Sequence, residues 1–532
     1  MNGYPHRLVL GLAIVALAGP TAGAGARESL PALPDARPDD LAAAAGWRAG
    51  DVSLPSPGSA PGTVNAADAC STPDDDRCEA WAQVAGQQFD SVRYGTDWAY
   101  GAEMSPDGRH MFVAGTSSLG TFVDTDVQIS SFDPSTGAVQ WISRRDGGLG
   151  LADVVYDVTV SPDSSKVFVV GASVTTRPVQ GSDILTIAFD AATGATLWQR
   201  AADPSGAPDL AYTARVSTDG STLVVAGYAN NGNDPIAIAY STTAGDELWT
   251  ATDPGSASGR AVDVAVGSDA AYLLAYNYNG KNQDSVAYAL DLDDGERRWT
   301  SRFDGGKHER PTAVAIDEEH GRMYVLSGTD VDPKGAEYGL AAFELVSGDE
   351  VWRANFAGAR AESNNIPTTL LVVPDRDPER DGAVVIASGL LVNNGPSDYD
   401  FGTVAYDGAT GAELWNAVYG SDRDERVWDM ALSADLSTLY VTGRSGPPYV
   451  LGPSAGTAVD AATVSYDTAT GQRRWAARYA GSSATEAGGD PEGVGVTPDG
   501  SRVVTGGTMV YTSDASAVNA KDFVVVGYDE SG

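Results

Sequence analysis

The stretch Ala188-Phe189-Asp190-Ala191-Ala192-Thr193-Gly194-Ala195-Thr196-Leu197-Trp198 decides the fold. Read locally it is a strand end, a turn and the start of the next strand. Asp190 can accept turn N–H groups, Gly194 can take a left-handed conformation, and Trp198 needs somewhere to bury its ring. The motif recurs in copies that end at Trp141, Trp198, Trp249, Trp299, Trp352, Trp415 and Trp475. Each copy has a small residue, then an aromatic or Leu, then an acid or Ser before the turn, and a Gly four residues ahead of the Trp. The spacing is about 50 to 63 residues, and a repeat of that length made of strand and turn signals predicts an all-β propeller with one four-stranded blade per copy.

Each copy of the motif has similar surroundings. A first strand ends in turns such as Ser105-Pro106-Asp107-Gly108, Ser161-Pro162-Asp163 or Thr497-Pro498-Asp499-Gly500, where Pro presets φ and Gly accepts positive φ. A second, apolar strand closes on Gly, as in Met111 to Gly115 and Val167 to Gly171. A loop of variable length leads to a third strand such as Ile184 to Phe189, rich in β-branched residues, and the fourth strand carries the Trp.

The two ends of the chain interlock. The last copy runs through Phe523 to Asp529 and stops before a fourth strand, while Ala80-Trp81-Ala82-Gln83-Val84-Ala85-Gly86 matches the missing strand in register. The sequence therefore predicts an eight-bladed β-propeller closed by an N-terminal strand that completes the last blade, leaving no open edge. The eight Trp residues (Trp81 and the seven above) are expected to dock between blades. Truncating one should destabilise the ring without acting on a ligand.

Outside the repeat, Arg7, the apolar run Leu8 to Leu17 and the small residues up to Ala26 read as a secretory signal peptide over residues 1–26. That run is too short for a comfortable membrane span, so a secreted, extracellular protein is expected. Residues 27–67 read as an Ala/Pro-rich flexible leader, and residues 68–532 as the propeller. Cys70 and Cys78 are the sole cysteines, and in an oxidising compartment they are expected to pair near the closing strand. There are 72 acidic and 34 basic residues, a net charge of −38, which argues against nucleic acid as a partner. The four His have no metal-ligand spacing.

The Ala-x-Asp-x-x-Thr-Gly-x-x-x-Trp repeat resembles the tryptophan-docking motif of pyrroloquinoline quinone (PQQ) dehydrogenases, whose propellers have eight blades. It is also similar to non-catalytic relatives with PQQ-like repeats, such as the outer-membrane assembly lipoprotein BamB. The resemblance spans residues 78 to 532 and belongs to the scaffold of every blade. The adjacent cysteine pair of the alcohol-oxidising members is missing, as is any Cys-x-x-Cys-His haem attachment. The non-catalytic branch is therefore favoured, and no cofactor is predicted. PQQ enters only under the alternative of an alcohol or sugar dehydrogenase.

A second periodic feature is acidic. Asp126, Asp183, Asp234, Asp284, Glu337, Asp400, Asp460 and Asp522 each precede their turn acid (Ser241 in the third copy) by seven residues. Placed where the variable loop enters the third strand, they should ring the loop-bearing face. They can cap backbone N–H groups, or act as cation ligands, with Ca2+ the candidate ion. Asp97, Asp153, Asp209, Glu309 and Glu425 precede the first strand and should crowd the same face. Asp375, Asp377 and Asp381 resemble a calcium loop with a shifted spacing, or an expanded hairpin turn. The long Gly/Pro/Tyr-rich loop from Ser445 to Ala461 is a candidate cover for the channel or a partner surface. The residues thus predict an exported binding or scaffold module that presents an acidic loop face to a protein, glycan or cation.

Overall fold

The fold is described from a computed structural model covering residues 79–85 and 96–530. Outside the description lie the ends and residues 86–95, 119–124, 147–151, 175–180, 254–258, 332–334, 359–363, 375–381, 393–398, 421–422, 447–458, 481–485 and 512–520. Cys70, Cys78, Asp375, Asp377 and Asp381 fall among these, as do the Trp81 side chain and most of the Ser445–Ala461 loop.

The described residues form eight antiparallel blades. Blade 1 comprises Thr96–Met104, Met111–Ser118, Thr125–Phe132 and Val139–Arg145; blade 2 comprises Asp153–Val160, Lys166–Ser173, Asp183–Asp190 and Thr196–Ala202. Blades 3 to 7 begin at Leu210, Gly259, Glu309, Ile366 and Asp424. Blade 8 has Glu486–Val496, Arg502–Tyr511 and Lys521–Asp529, and its fourth strand is Glu79–Ala85 from the other end of the chain. The first strand of every blade touches the first strands of both neighbours, and blade 8 touches blade 1, so these innermost strands close a ring around the axis. One apolar cluster fills each of the eight seams, including Val504, Phe523 and Val525 of blade 8 against Ala99, Met111 and Val113 of blade 1.

The repeated motif is a seam device. Trp198 Nε1 donates to the Thr242 carbonyl of blade 3 at 3.0 Å, and its ring lies under Gly245, where an added Cβ would come within 2.5 Å of it. Trp141, Trp249, Trp299, Trp352 and Trp415 repeat the contact with Ala191, Leu292, Leu345, Gly408 and Thr468. Trp475 reaches the Glu530 carboxylate at the same turn position. Within its own blade each Trp pairs with the small residue of the motif, Ala188 for Trp198 and Ser131 for Trp141. Trp81 pairs with Gly527 across the same one-residue register shift found in the other fourth strands, so the closing strand is in register. The turn acid does its expected work: Asp190 Oδ1 accepts the Thr193 N–H at 2.9 Å and its hydroxyl at 2.7 Å.

The second strands do not close on their Gly. They run on past it, Met111–Ser118 and Lys166–Ser173, because a β-bulge in the first strand lies opposite. The bulge recurs in all eight innermost strands, with Tyr100, Tyr156, Tyr212, Val262, Thr312, Thr368, Trp428 and Glu492 as the skipped residues. It pushes a backbone carbonyl toward the second strand: a Cβ on Gly171 would stand 1.8 Å from the Val154 carbonyl oxygen. A side chain at Gly171 would therefore need the backbone to shift.

Candidate functional site: carboxylate rows on the loop-bearing face

Strand register brings the two acidic series together. Asp97 lies beside Ser117, which lies beside Asp126; Asp153, Ser173 and Asp183 repeat the row in blade 2. Blade 5 has Glu309, Thr329 and Glu337, and blade 7 has Glu425, Ser445 and Asp460. Blades 4 and 8 replace the first-strand acid by Gly259 and Gly489 beside Asp284 and Asp522. Blade 6 uses Asn365 in place of the first-strand acid. All these rows lie at the end of the blades that carries the loops between second and third strands.

The first-strand members are buried: Asp97, Asp153, Asp209, Glu309 and Glu425 expose under 5% of their surface. Of the outer ring, Asp284, Asp400, Asp460 and Asp522 are buried, and Asp126, Asp183, Asp234 and Glu337 are half-buried. Much of the charge is matched locally. Asp97 accepts from Gln128 Nε2 at 3.2 Å and lies 3.6 Å from Arg144. Asp284 pairs with Arg302 and accepts from Asn279 at 3.0 Å and Asn282 at 3.1 Å; Asp460 pairs with Arg423 at 3.0 Å. Asp209 accepts the Asn230 N–H at 2.9 Å and the Ser205 hydroxyl at 2.6 Å, and Asn365 caps Val392 N–H at 3.0 Å. These loop contacts hold the face in shape.

At two seams carboxylates from neighbouring blades converge. Asp126 of blade 1, Asp146 just past its fourth strand and Asp153 of blade 2 place one oxygen each within 4.8 Å of one another. Asp284, Asp304 and Glu309 do the same between blades 4 and 5. Burial, with Asp304 and Asp284 adding, pushes the Glu309 carboxyl up to about 7. Burial also raises Asp209, and Asp203 adds to it.

Sequence reading missed a second group, below the bulges on the innermost strands. Asp157 Oδ2 takes the Ala214 N–H at 3.1 Å, the Thr213 hydroxyl at 3.0 Å and the Arg215 guanidinium at 2.8 Å. Asp263 and Asp429 take Val314 and Val494 N–H groups, each at 3.0 Å. Glu103 lies near Arg215, Asp157 and Asp429, and burial pushes its carboxyl up to about 8. The signal was present: Asp157, Gly259-plus-four Asp263 and Asp429 hold one place in the repeat. Chemically, Glu103 can hold a proton near neutral pH, while the three aspartates stitch blade 2 to 3, blade 4 to 5 and blade 7 to 8.

Among the described residues no helix is long and apolar enough to cross a membrane. No curated protein sequence matches the chain. Among solved structures, BamB from Moraxella catarrhalis is 15% identical over 85% of this chain and 99% of its own, with a TM-score of 0.44. The quinohemoprotein alcohol dehydrogenase ADHIIG from Pseudomonas putida HK5 is 12% identical over 83% and 76%, also at 0.44. The family model described as "Outer membrane protein assembly factor BamB" matches residues 181–389, from blade 2 into blade 6. Residues 181–389 are thus similar to PQQ-like repeats, and the described residues fold as an eight-bladed β-propeller.

Proposed function

We propose that the protein is an exported scaffold that binds a basic protein partner on its loop-bearing face. The observation that carries this reading is the carboxylate row repeated from blade to blade at one end of the propeller, where register aligns two acidic series. The matching family model is named for an assembly factor, which favours a protein over a small substrate. The exposed acids of that face, Asp146, Asp203 and Asp304, supply the attraction, and the buried ones hold the loops that carry them. A dehydrogenase reading gains no support, because the chain has no adjacent cysteine pair.

Charge neutralisation on each face tests this, with poly-L-lysine as the probe and EDTA present. The triple variant Asp146→Asn, Asp203→Asn, Asp304→Asn should weaken binding several-fold more than Asp246→Asn, Asp293→Asn, Asp349→Asn on the turn-bearing face. Equal losses would sink the reading. Dye reduction with alcohols in the presence of PQQ and calcium would replace it with the dehydrogenase.

A further inference from the structure

Asp284, Asp304 and Glu309 come from three separate segments: the third strand of blade 4, the residue after its fourth strand, and the first strand of blade 5. We propose that they form a calcium site that ties blade 4 to blade 5. This goes beyond the partner-binding reading and does not depend on it.

The spacing suits one ion. Calcium–oxygen bonds of about 2.4 Å put ligands on opposite sides of the ion about 5 Å apart, and these oxygens lie within 4.8 Å of each other. Glu309 supplies an independent sign. It is fully buried; one oxygen accepts the Gly305 N–H at 3.0 Å, and Oε2 has no hydrogen-bond partner. A buried carboxylate oxygen without a hydrogen-bond partner, on a residue clustered with two other carboxylates, is suited to a cation.

The donor set selects the metal. The cluster offers only carboxylate oxygens, with neither His nor Cys, which favours a hard cation over zinc or copper. Carboxylates contributed by three segments of two blades suit the adaptable coordination of calcium better than the strict octahedron of magnesium. Arg302 and the two Asn side chains on Asp284 offset part of the charge in the blade 4–5 cluster.

The test uses the full chain, stripped with EDTA and titrated with calcium by calorimetry and equilibrium dialysis, with melting temperature followed in parallel. At least one ion per chain should bind, and the melting temperature should rise. Asp304→Asn replaces an exposed residue, so its melting temperature in EDTA should not fall below the parent's. It should weaken the site at least about tenfold and remove most of the calcium-induced rise. Glu309→Gln, which keeps the shape of the side chain, should act like Asp304→Asn. A chain that binds no calcium, or an Asp304→Asn variant with unchanged stoichiometry, affinity and melting response, would overturn the proposal.

Discussion

At the scale of the residue, the motif that fixes the fold is explained atom by atom. The Trp ring needs a flat seat, the Gly of the next blade provides it, and the small residue opposite leaves room for the indole. Trp198 exposes 6% of its surface. Trp198→Ala should cost about 3–5 kcal/mol, read as a lower denaturant midpoint, with poly-lysine affinity unchanged. Glu103 allows a different test, because its environment was invisible in the sequence: it depends on Asp157, Asp429 and Arg215 from three other blades. Its carboxyl titrates near 8 in the fold and near 4.5 when unfolded. Between those values the folded chain keeps a proton that the unfolded chain has lost, so this contribution to stability falls as pH rises through that window. Melting temperatures of Glu103→Gln across pH 5 to 8.5 should fall less steeply than those of the parent.

At the scale of the element, the closure was legible and the bulge was not. Trp81 and Asp529 carry halves of one motif, so the strand swap could be read from spacing alone. A bulge adds one residue without a signature of its own. Its trace was the Gly that recurs in six of the second strands and reads as the strand's end; the structure shows it to be a place where a first-strand carbonyl approaches. Blades 4 and 5 manage with Ala275 and Ser327 at that position, which weakens the trace further. Closure makes a prediction: deleting residues 79–85 leaves the Lys521–Asp529 strand without its outer partner. The truncated chain should melt earlier and self-associate, as measured by light scattering. A monomer with the parent's melting temperature would show that the N-terminal strand is dispensable.

At the scale of the whole molecule, the chain carries a net charge of −38, and among the described residues the acids do different things at the two ends of the propeller. On the turn-bearing end the aspartates fold back on their own turns. Asp163 and Asp435 accept from Ser161 and Ser433, each at 2.6 Å, and those bonds hold their carboxyls down near 2. On the loop-bearing end carboxylates from different segments and blades converge. Composition could not separate the two, since an acid in a turn and an acid in a seam are the same letter; the seven-residue offset located the outer ring, and register alone revealed the rows. The proposed function puts partner binding at the loop-bearing end. Hydrogen-exchange footprinting of the poly-lysine complex in EDTA tests it most directly. Protection should appear in peptides covering 203–209 and 304–309, with 190–194 and 407–411 on the turn-bearing end unchanged. Protection confined to the turn segments, or spread evenly over both ends, would contradict it.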